Sequence, residues 1–430
     1  MASITSRAAN WQPVAPSRAW FAFGLLLRPL QWGLAFPSVL YLAAMAVFLF
    51  RPPDLDLYHA DRIALGVLVF FVILRSLVLR EKLPFVAGVS LPLLGLATLA
   101  VVRALREPFD AQTWSLVASK FVVPLILFHL AILTFRCAWS LRSFEVFVIL
   151  SLAYLTFIAI AFLADAQFLI FPRFILDESL GIHADRARGP FLQAVANGMS
   201  LNILGILAIV FAPQRRIFLL LWVALPFAVL ATMTRAVWIA FAVSAVALCF
   251  RLGVRHLRRV CVTLVILGAL SGAAVYFTEN SLASALRERT AEQGPVDARM
   301  AVYDAGWSMF QERPLSGWTA ARMYEELARR MSGYHLRTFF VHNTYLSLLI
   351  EFGIPGLLLY AILFFNLFRL GRTTSATTET PTIAKLRRVW PILLCVYLFN
   401  AFFVDMAYQF VIGLLFTVAG ILQASKESAA

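Results

Sequence analysis

Long apolar stretches joined by short polar connections form the main pattern of the chain. About twelve of these stretches approach the roughly 20 residues that a helix needs to cross about 30 Å of hydrocarbon. They lie at 32–50, 63–79, 84–102, 114–135, 144–165, 191–212, 217–233, 236–250, 260–277, 341–368, 389–404 and 407–424. Hydrophobic residues make up 61% of the chain and charged residues only 14%, as expected when most of the surroundings are lipid. The pattern predicts an all-α polytopic membrane protein with about 12 transmembrane helices.

Basic residues in the short connections predict the orientation of these helices. They occur in alternate connections, at Arg80 with Lys82, Arg136 with Arg142, Arg215 with Arg216, residues 251–259, and Lys385 with Arg387 and Arg388. The positive-inside rule places these connections and both termini in the cytoplasm. The other connections then face outward, at 51–62, 103–113, 166–190, 234–235, 278–340 and 405–406.

This topology divides the chain into three parts. Residues 1–277 form the first nine spans, residues 278–340 form a large outward loop, and residues 341–430 form the last three spans with a cytoplasmic C-terminus. Helical spacing in the loop predicts an amphipathic helix that lies on the membrane or on the bundle. Its apolar face consists of Met300, Tyr303, Trp307 and Phe310. A second helix is predicted over TAARMYEELARRMSG, ending at Gly333.

The charges outside the cytoplasm are carried by arginine. The net charge of +14 does not indicate a nucleic-acid partner, because much of it holds the cytoplasmic connections in place. None of the four lysines lies in an outward connection. Arginine binds phosphate through parallel hydrogen bonds and keeps its charge when partly desolvated. Arg188 and Arg235 have few acidic neighbours beside their spans, which favours a bound anion. The 278–340 loop instead contains eight arginines and eight acids, so many of its arginines are expected to pair with acids.

A histidine marks the point where the large outward loop gives way to the tenth span. The sequence there is TFFVHNTYLSLLIEFGIPG, with His342 and Asn343 just before the apolar run. The residues alone leave two interpretations open. One is anchoring at the level of the lipid headgroups. The other is proton transfer, to which an imidazole with an unperturbed pKa near about 6.5 is suited at neutral pH.

Four segments between residues 180 and 360 carry a family resemblance. They read RGPFLQAVANG, TMTRAVW, DARMAVYDAGWSMFQERPLSGW and VHNTYLSLLIEFGIPG. In this order and spacing they resemble the O-antigen ligase and polymerase superfamily of bacterial envelope enzymes, and most of all its ligase branch. The TMTRAVW turn departs from the Ser-Arg-Gly that the resemblance leads us to expect there.

The resemblance implies a metal-independent membrane glycosyltransferase of GT-C-like architecture. Such an enzyme lies in the bacterial inner membrane among membrane lipids, with its active site facing the periplasm. The implied donor is a glycan on undecaprenyl pyrophosphate, and the acceptor in the ligase branch is the lipid A core oligosaccharide. No cofactor is implied, in agreement with the absence of a GxxxxGK phosphate-binding loop from the sequence.

The same resemblance implies roles for particular residues. His342 matches the family's essential histidine and is the expected general base. Arg188, Arg235 and Arg299 are the expected ligands of the pyrophosphate, whose growing negative charge needs fixed cations when no metal takes part. The possible supporting residues are Asn343, Tyr345, Arg289 and Asp405.

Three alternatives stay open. A polymerase would join repeat units on the same carrier and would differ from a ligase only in its acceptor. The DLD sequence at 54–56 could hold a divalent metal against a lipid phosphate. A transporter of lipid-linked sugars could also have about twelve spans, but transporters tend to consist of matching halves, and the two halves of this chain do not match.

Arg75, inside the second predicted span, has no assigned role.

Overall fold

The computed structural model describes residues 31–50, 59–211, 216–252, 294–331, 341–372 and 380–427. Within these ranges the chain forms helices, turns and irregular connections, and no strand occurs. The helices are α1 (Pro37–Phe50), α2 (Ala60–Val78), α3 (Ala87–Ala104), α4 (Ala111–Val117), α5 (Val123–Thr134), α6 (Ala138–Leu163), α7 (Ala194–Phe211), α8 (Arg216–Leu230), α9 (Arg235–Leu252), α10 (Gly294–Glu312), α11 (Ala320–Arg330), α12 (Thr344–Leu370), α13 (Pro381–Ala401) and α14 (Gln409–Glu427). A π-helical turn, Ala118–Val122, joins α4 to α5.

Seven segments of the described ranges are long and apolar enough to cross a membrane. They are α3, the continuous unit of α4 and α5, α6, α7, α9, α12 and α14. These helices agree with the predicted polytopic membrane fold. The predicted ninth span, 260–277, lies outside the described residues, so the total of twelve spans stays a prediction. Helix α13 begins at Pro381 rather than at the predicted 389, because its basic first turns are helical as well.

Three helices form the centre of the bundle. Helices α5, α7 and α14 bury most of their residues inside the protein. The hydroxyl group of Tyr41 in α1 joins two of them, since it donates to the Leu127 carbonyl oxygen at 3.0 Å and lies 2.7 Å from Oγ1 of Thr417. Polar groups inside a bilayer have no water to bind, so they depend on such internal partners.

The described part of the 278–340 loop, residues 294–331, contains two helices, and α10 packs on the protein mainly with a face other than the predicted one. Met300 and Trp307 of the predicted apolar face are 54% and 50% exposed. The buried face instead carries Val302, Ala305 and Met309. These side chains belong to a small apolar cluster that also includes residues of α11 and the start of α12. Both stripes of α10 are apolar, so helical spacing alone cannot choose which one packs on the protein, and contact of the exposed stripe with the membrane stays a prediction.

Helix α12 is broken at Gly353, and the turn 313–318 supplies hydrogen-bonding partners at the break. Gly353 has a φ of 67° and a ψ of −163°. In an uninterrupted helix the Ile354 amide would donate to the Ile350 carbonyl oxygen, four residues earlier. Here the Ile354 amide donates to the Pro314 carbonyl oxygen at 2.8 Å, and the Ile350 carbonyl oxygen accepts from the Trp318 amide at 2.7 Å. The turn 313–318 therefore supplies both hydrogen-bonding partners that the helix loses.

We expect Gly353→Ala to destabilise the protein by roughly 1–3 kcal/mol or more, because a side chain is strained at this backbone conformation. A Cβ atom at Gly353 would also lie 2.4 Å from the Pro314 carbonyl oxygen. The measurement is thermal unfolding of the purified protein in detergent. Gly66→Ala in α2 is the matched control, since a Cβ atom there meets nothing within 4 Å. Equal unfolding temperatures for the two variants would contradict the tight fit at the break.

Candidate active site

The start of α12 and the connection between α13 and α14 meet at one end of the bundle, called here the His342 end. Thr344 joins the two segments, because its Oγ1 donates to the Val404 carbonyl oxygen at 2.8 Å and accepts from the Met406 amide at 3.0 Å. Asp405 lies between these two residues, and His342 lies two positions before Thr344. The fold thus brings together two predicted site residues that are far apart in the sequence.

Two further connections belong to the same end. The Tyr408 hydroxyl group lies 3.2 Å from Oε1 of Gln193, which follows the 3-10 turn Gly189–Phe191. The Ala187 amide donates to the Ala231 carbonyl oxygen at 3.0 Å, in the turn that precedes α9. Hydrogen bonds therefore join the connection that carries Asp405 to the one that carries Arg188, and the latter to the turn before Arg235.

His342 occupies a special backbone position at the entrance to α12. It has a left-handed φ of 50°, a conformation that is uncommon for residues other than glycine and is often found at functional sites. Asn343, the next residue, caps the helix, since its Oδ1 accepts from the Tyr345 and Leu346 amides at 3.0 and 3.1 Å. The cap fixes the start of α12, and with it the place of the half-buried imidazole.

Opposite charges act on the His342 ring. Burial lowers the pKa of His342, and the guanidinium group of Arg299 on α10 lowers it further. The carboxylate of Asp405 acts in the opposite direction and raises the pKa. Since the pKa falls below its ordinary value, the ring is neutral at pH 7 and can accept a proton.

A buried ionic cluster lies next to Asp405. Nζ of Lys120 is 2.7 Å from Oδ2 of Asp405 and 3.8 Å from Oε1 of Glu351. The three side chains are only 11%, 21% and 16% exposed. Ser347 donates to the same Glu351 oxygen at 3.1 Å. Tyr324 of α11 is also close to these charges, and burial raises its pKa to about 12, so its hydroxyl group keeps its proton at pH 7.

Arg103 completes the cluster at the end of α3. Its charge acts on Glu351, and its guanidinium carbon lies 5.1 Å from the centre of the Phe352 ring. Nη1 donates to the Trp318 carbonyl oxygen at 3.2 Å, and Nη2 donates to the Ser316 carbonyl oxygen. Arg103 thus links the ionic cluster to the turn that repairs α12.

Lys120, Glu351 and Arg103 are not among the site residues predicted from the sequence. Lys120 lies in the π-helical turn within a predicted span, and Glu351 lies two residues before the break in α12. A charged residue inside a membrane span is costly and is by default a candidate for function. That rule, applied to each apolar stretch, would have identified Lys120 and Glu351.

Arg188 has a different environment from the one that its sequence context suggests. Its side chain is 1% exposed, and its Nε donates to the Ile175 carbonyl oxygen at 3.0 Å. Nη1 and Nη2 donate to the carbonyl oxygens of Leu180 and Asp177. Three of its donors are thus used inside the protein, which favours a role in holding the 164–193 connection over the predicted contact with pyrophosphate.

The other predicted residues occupy varied positions. Arg235 is the first residue of α9 and is partly exposed at the His342 end. The Tyr345 hydroxyl group donates to the Leu398 carbonyl oxygen at 2.8 Å, which joins α12 to α13.

Arg289 lies outside the described residues, and so does the DLD sequence at 54–56. Across the part of the chain that the structure describes, no three His, Cys, Asp or Glu side chains form a cluster that could hold a metal ion.

Comparison with known proteins adds a family match to this geometry. Residues 217–361 match the model of a family described as O-antigen ligase. The match confirms the resemblance carried by the sequence segments, three of which lie within it. The matched region is about a third of the chain and includes Arg235, Arg299, His342 and Glu351, whereas Lys120 and Asp405 lie outside it. A search of curated proteins found no match.

Proposed function

We propose that the protein is an O-antigen ligase, which transfers a glycan from undecaprenyl pyrophosphate to the lipid A core oligosaccharide at the periplasmic face of the bacterial inner membrane. The observation that carries the proposal is the environment of His342. A half-buried imidazole at the start of a membrane helix is subject to the opposing charges of Arg299 and Asp405. It belongs to the region that matches the O-antigen ligase family.

His342 is the general base of the proposed reaction. Its neutral ring takes the proton from a hydroxyl group of the acceptor sugar, while the hydroxyl oxygen attacks the anomeric carbon of the donor glycan. A new carbon–oxygen bond forms as the bond from the anomeric carbon to the pyrophosphate breaks. The pyrophosphate leaves with the electron pair of that bond, and the imidazolium later returns its proton to water.

Arginine side chains supply the positive charge that the leaving pyrophosphate requires. Arg299 is exposed on α10 and acts on the His342 ring, and Arg235 begins α9 at the same end of the bundle. Fixed cations can stabilise the developing charge without a metal ion. We assign both arginines to the pyrophosphate, whereas Arg188 supports the connection beside them through its bonds to carbonyl oxygens.

The proposal predicts transfer by the detergent-solubilised protein in the presence of excess EDTA. The substrates are a glycan linked to lipid pyrophosphate and purified lipid A core, and the product is detected as glycosylated lipid A core on a gel. Elongation of the carrier-linked glycan without transfer to lipid A core would instead identify a polymerase. Loss of transfer in EDTA that added Mg²⁺ restores would contradict the metal-free mechanism.

A further inference from the structure

Two charged residues of the ionic cluster lie at irregular points of membrane helices. Lys120 lies in the π-helical turn between α4 and α5, a form of helix that is rare and often found at functional sites. Glu351 lies just before the break at Gly353. Both irregularities face the same cluster, because the Lys120 and Glu351 side chains are 3.8 Å apart.

The cluster is balanced in charge. Lys120 and Arg103 carry two positive charges, and Asp405 and Glu351 carry two negative charges. A buried ionic group is costly unless it is paired in this way. The shortest contact of the cluster, 2.7 Å, joins Lys120 to Asp405, so the lysine fixes this carboxylate more directly than it fixes Glu351.

Asp405 connects the cluster to His342. The residues on either side of Asp405 bind the side chain of Thr344, which lies two positions after His342. Asp405 also acts on the charge state of the His342 ring, whereas Arg299 acts on it with the opposite sign. Protonated His342 therefore has one favourable and one unfavourable charged neighbour.

We propose that Lys120 is a positioning residue, whose ammonium group holds the Asp405 carboxylate beside His342 so that this carboxylate stabilises the imidazolium formed during glycan transfer. Glu351 is the second anchor of the same ammonium group. The proposal rests on the proposed function, because it assigns the network to a base that becomes protonated.

The network balances two electrostatic requirements of the proposed site, a cation for the pyrophosphate and sufficient basicity of the His342 ring. The pyrophosphate requires a cation such as Arg299, but a cation near His342 makes the ring a weaker base. The carboxylate of Asp405, which raises the pKa of the ring, offsets this effect. Two charged groups act on the ring, Arg299 from α10 and Asp405 from the connection after α13. The charged and titratable groups linked to Asp405 are Lys120, Glu351, Arg103 and Tyr324.

The test is a double-mutant cycle with Asp405→Asn, Lys120→Met and the combined variant. Asp405→Asn removes the charge that raises the His342 pKa, so the acidic limb of the pH–rate profile should shift to lower pH. Its maximal rate should fall by about 10- to 100-fold, less than the 10²- to 10⁴-fold that a base itself can contribute. Lys120→Met leaves two carboxylates with one arginine, and it should lower the unfolding temperature and the rate.

The combined variant separates positioning from stability. It retains Arg103 with Glu351 and so restores the balance of charge, which should recover most of the unfolding temperature. Glycan transfer should not recover, because the carboxylate beside His342 is absent. Lys385→Met, at the opposite end of the bundle, is the control for loss of a lysine and should retain both activity and stability.

Three outcomes would count against the proposal in different ways. Recovery of transfer together with stability in the combined variant would show that the pair is only structural. An unshifted acidic limb in Asp405→Asn would likewise reject the positioning role, while active wild-type protein would leave the proposed function intact. Wild-type protein that transfers glycan neither to lipid A core nor to the carrier-linked glycan would reject the proposed function and the positioning role together.

Discussion

Replacing His342 with Ala will reduce glycan transfer by about 10²- to 10⁴-fold, which is the usual contribution of a general base. The ring is half-buried at the start of α12 and is neutral at pH 7 because burial and Arg299 lower its pKa. The wild-type rate should fall on the acidic side of a pH profile, with a midpoint below about 6.5, the ordinary pKa of histidine. The measurement is the initial rate of transfer to lipid A core as a function of pH.

His183→Ala is the matched control for this experiment. His183 lies in the 164–193 connection, is exposed and also has a left-handed φ, of 57°, so the substitution changes a similar backbone position. We expect this variant to retain wild-type activity. His342→Ala should also recover part of its rate when imidazole is added to the assay. Full activity of His342→Ala without imidazole would show that the histidine serves only to anchor the helix at the interface.

The second large effect is expected from the arginines assigned to pyrophosphate. Each hydrogen bond to a charged group contributes roughly 1.5–3 kcal/mol, so Arg235→Gln and Arg299→Gln should each reduce kcat/KM by about 10- to 150-fold. The loss should be larger for the pair, since both act on the same leaving group. Initial rates at several concentrations of the lipid-linked donor measure these values.

The two arginine variants should differ in their pH dependence. Arg299 lowers the pKa of His342, so the acidic limb of Arg299→Gln should move to higher pH. Arg329→Gln is the control, because Arg329 is exposed and pairs with Glu326 at 3.0 Å on the surface of α11. Such surface pairs contribute about 0–1 kcal/mol. A loss in Arg329→Gln equal to that in Arg299→Gln would contradict a specific role in binding pyrophosphate.

The presence of several membrane-spanning helices could be predicted because it depends on a simple physical property. A helix in hydrocarbon needs an apolar run of sufficient length, and that run is visible in the sequence. Helix α12 and its entrance at His342 follow from such a run and from the polar residues before it. The position of Asp405 between two spans follows in the same way. Its contact with Lys120 does not follow from the apolar runs.

Two charged residues of the ionic cluster, Lys120 and Glu351, can be seen within apolar stretches of the sequence, but the backbone features that bring them together cannot. A π-helical turn differs from a regular helix by a single extra residue, and ASKFV at 118–122 contains no residue that demands it. The carbonyl oxygens that bind Arg188 belong to the backbone, so side-chain patterns cannot reveal them. The small number of nearby acidic residues therefore suggested a bound anion for Arg188, although carbonyl oxygens bind its donors.

The repaired break in α12 has a consequence for exchanging parts between related enzymes. The turn 313–318 and the segment 350–354 exchange hydrogen bonds in both directions, and a Cβ atom at Gly317 would lie 2.4 Å from the Glu351 carbonyl oxygen. The two segments thus form one structural unit and should come from the same parent protein, although about thirty residues separate them in the sequence. A chimaera that takes the 278–340 loop from one parent and α12 from another would separate these two segments. Workable crossover points lie before 313 and after 354.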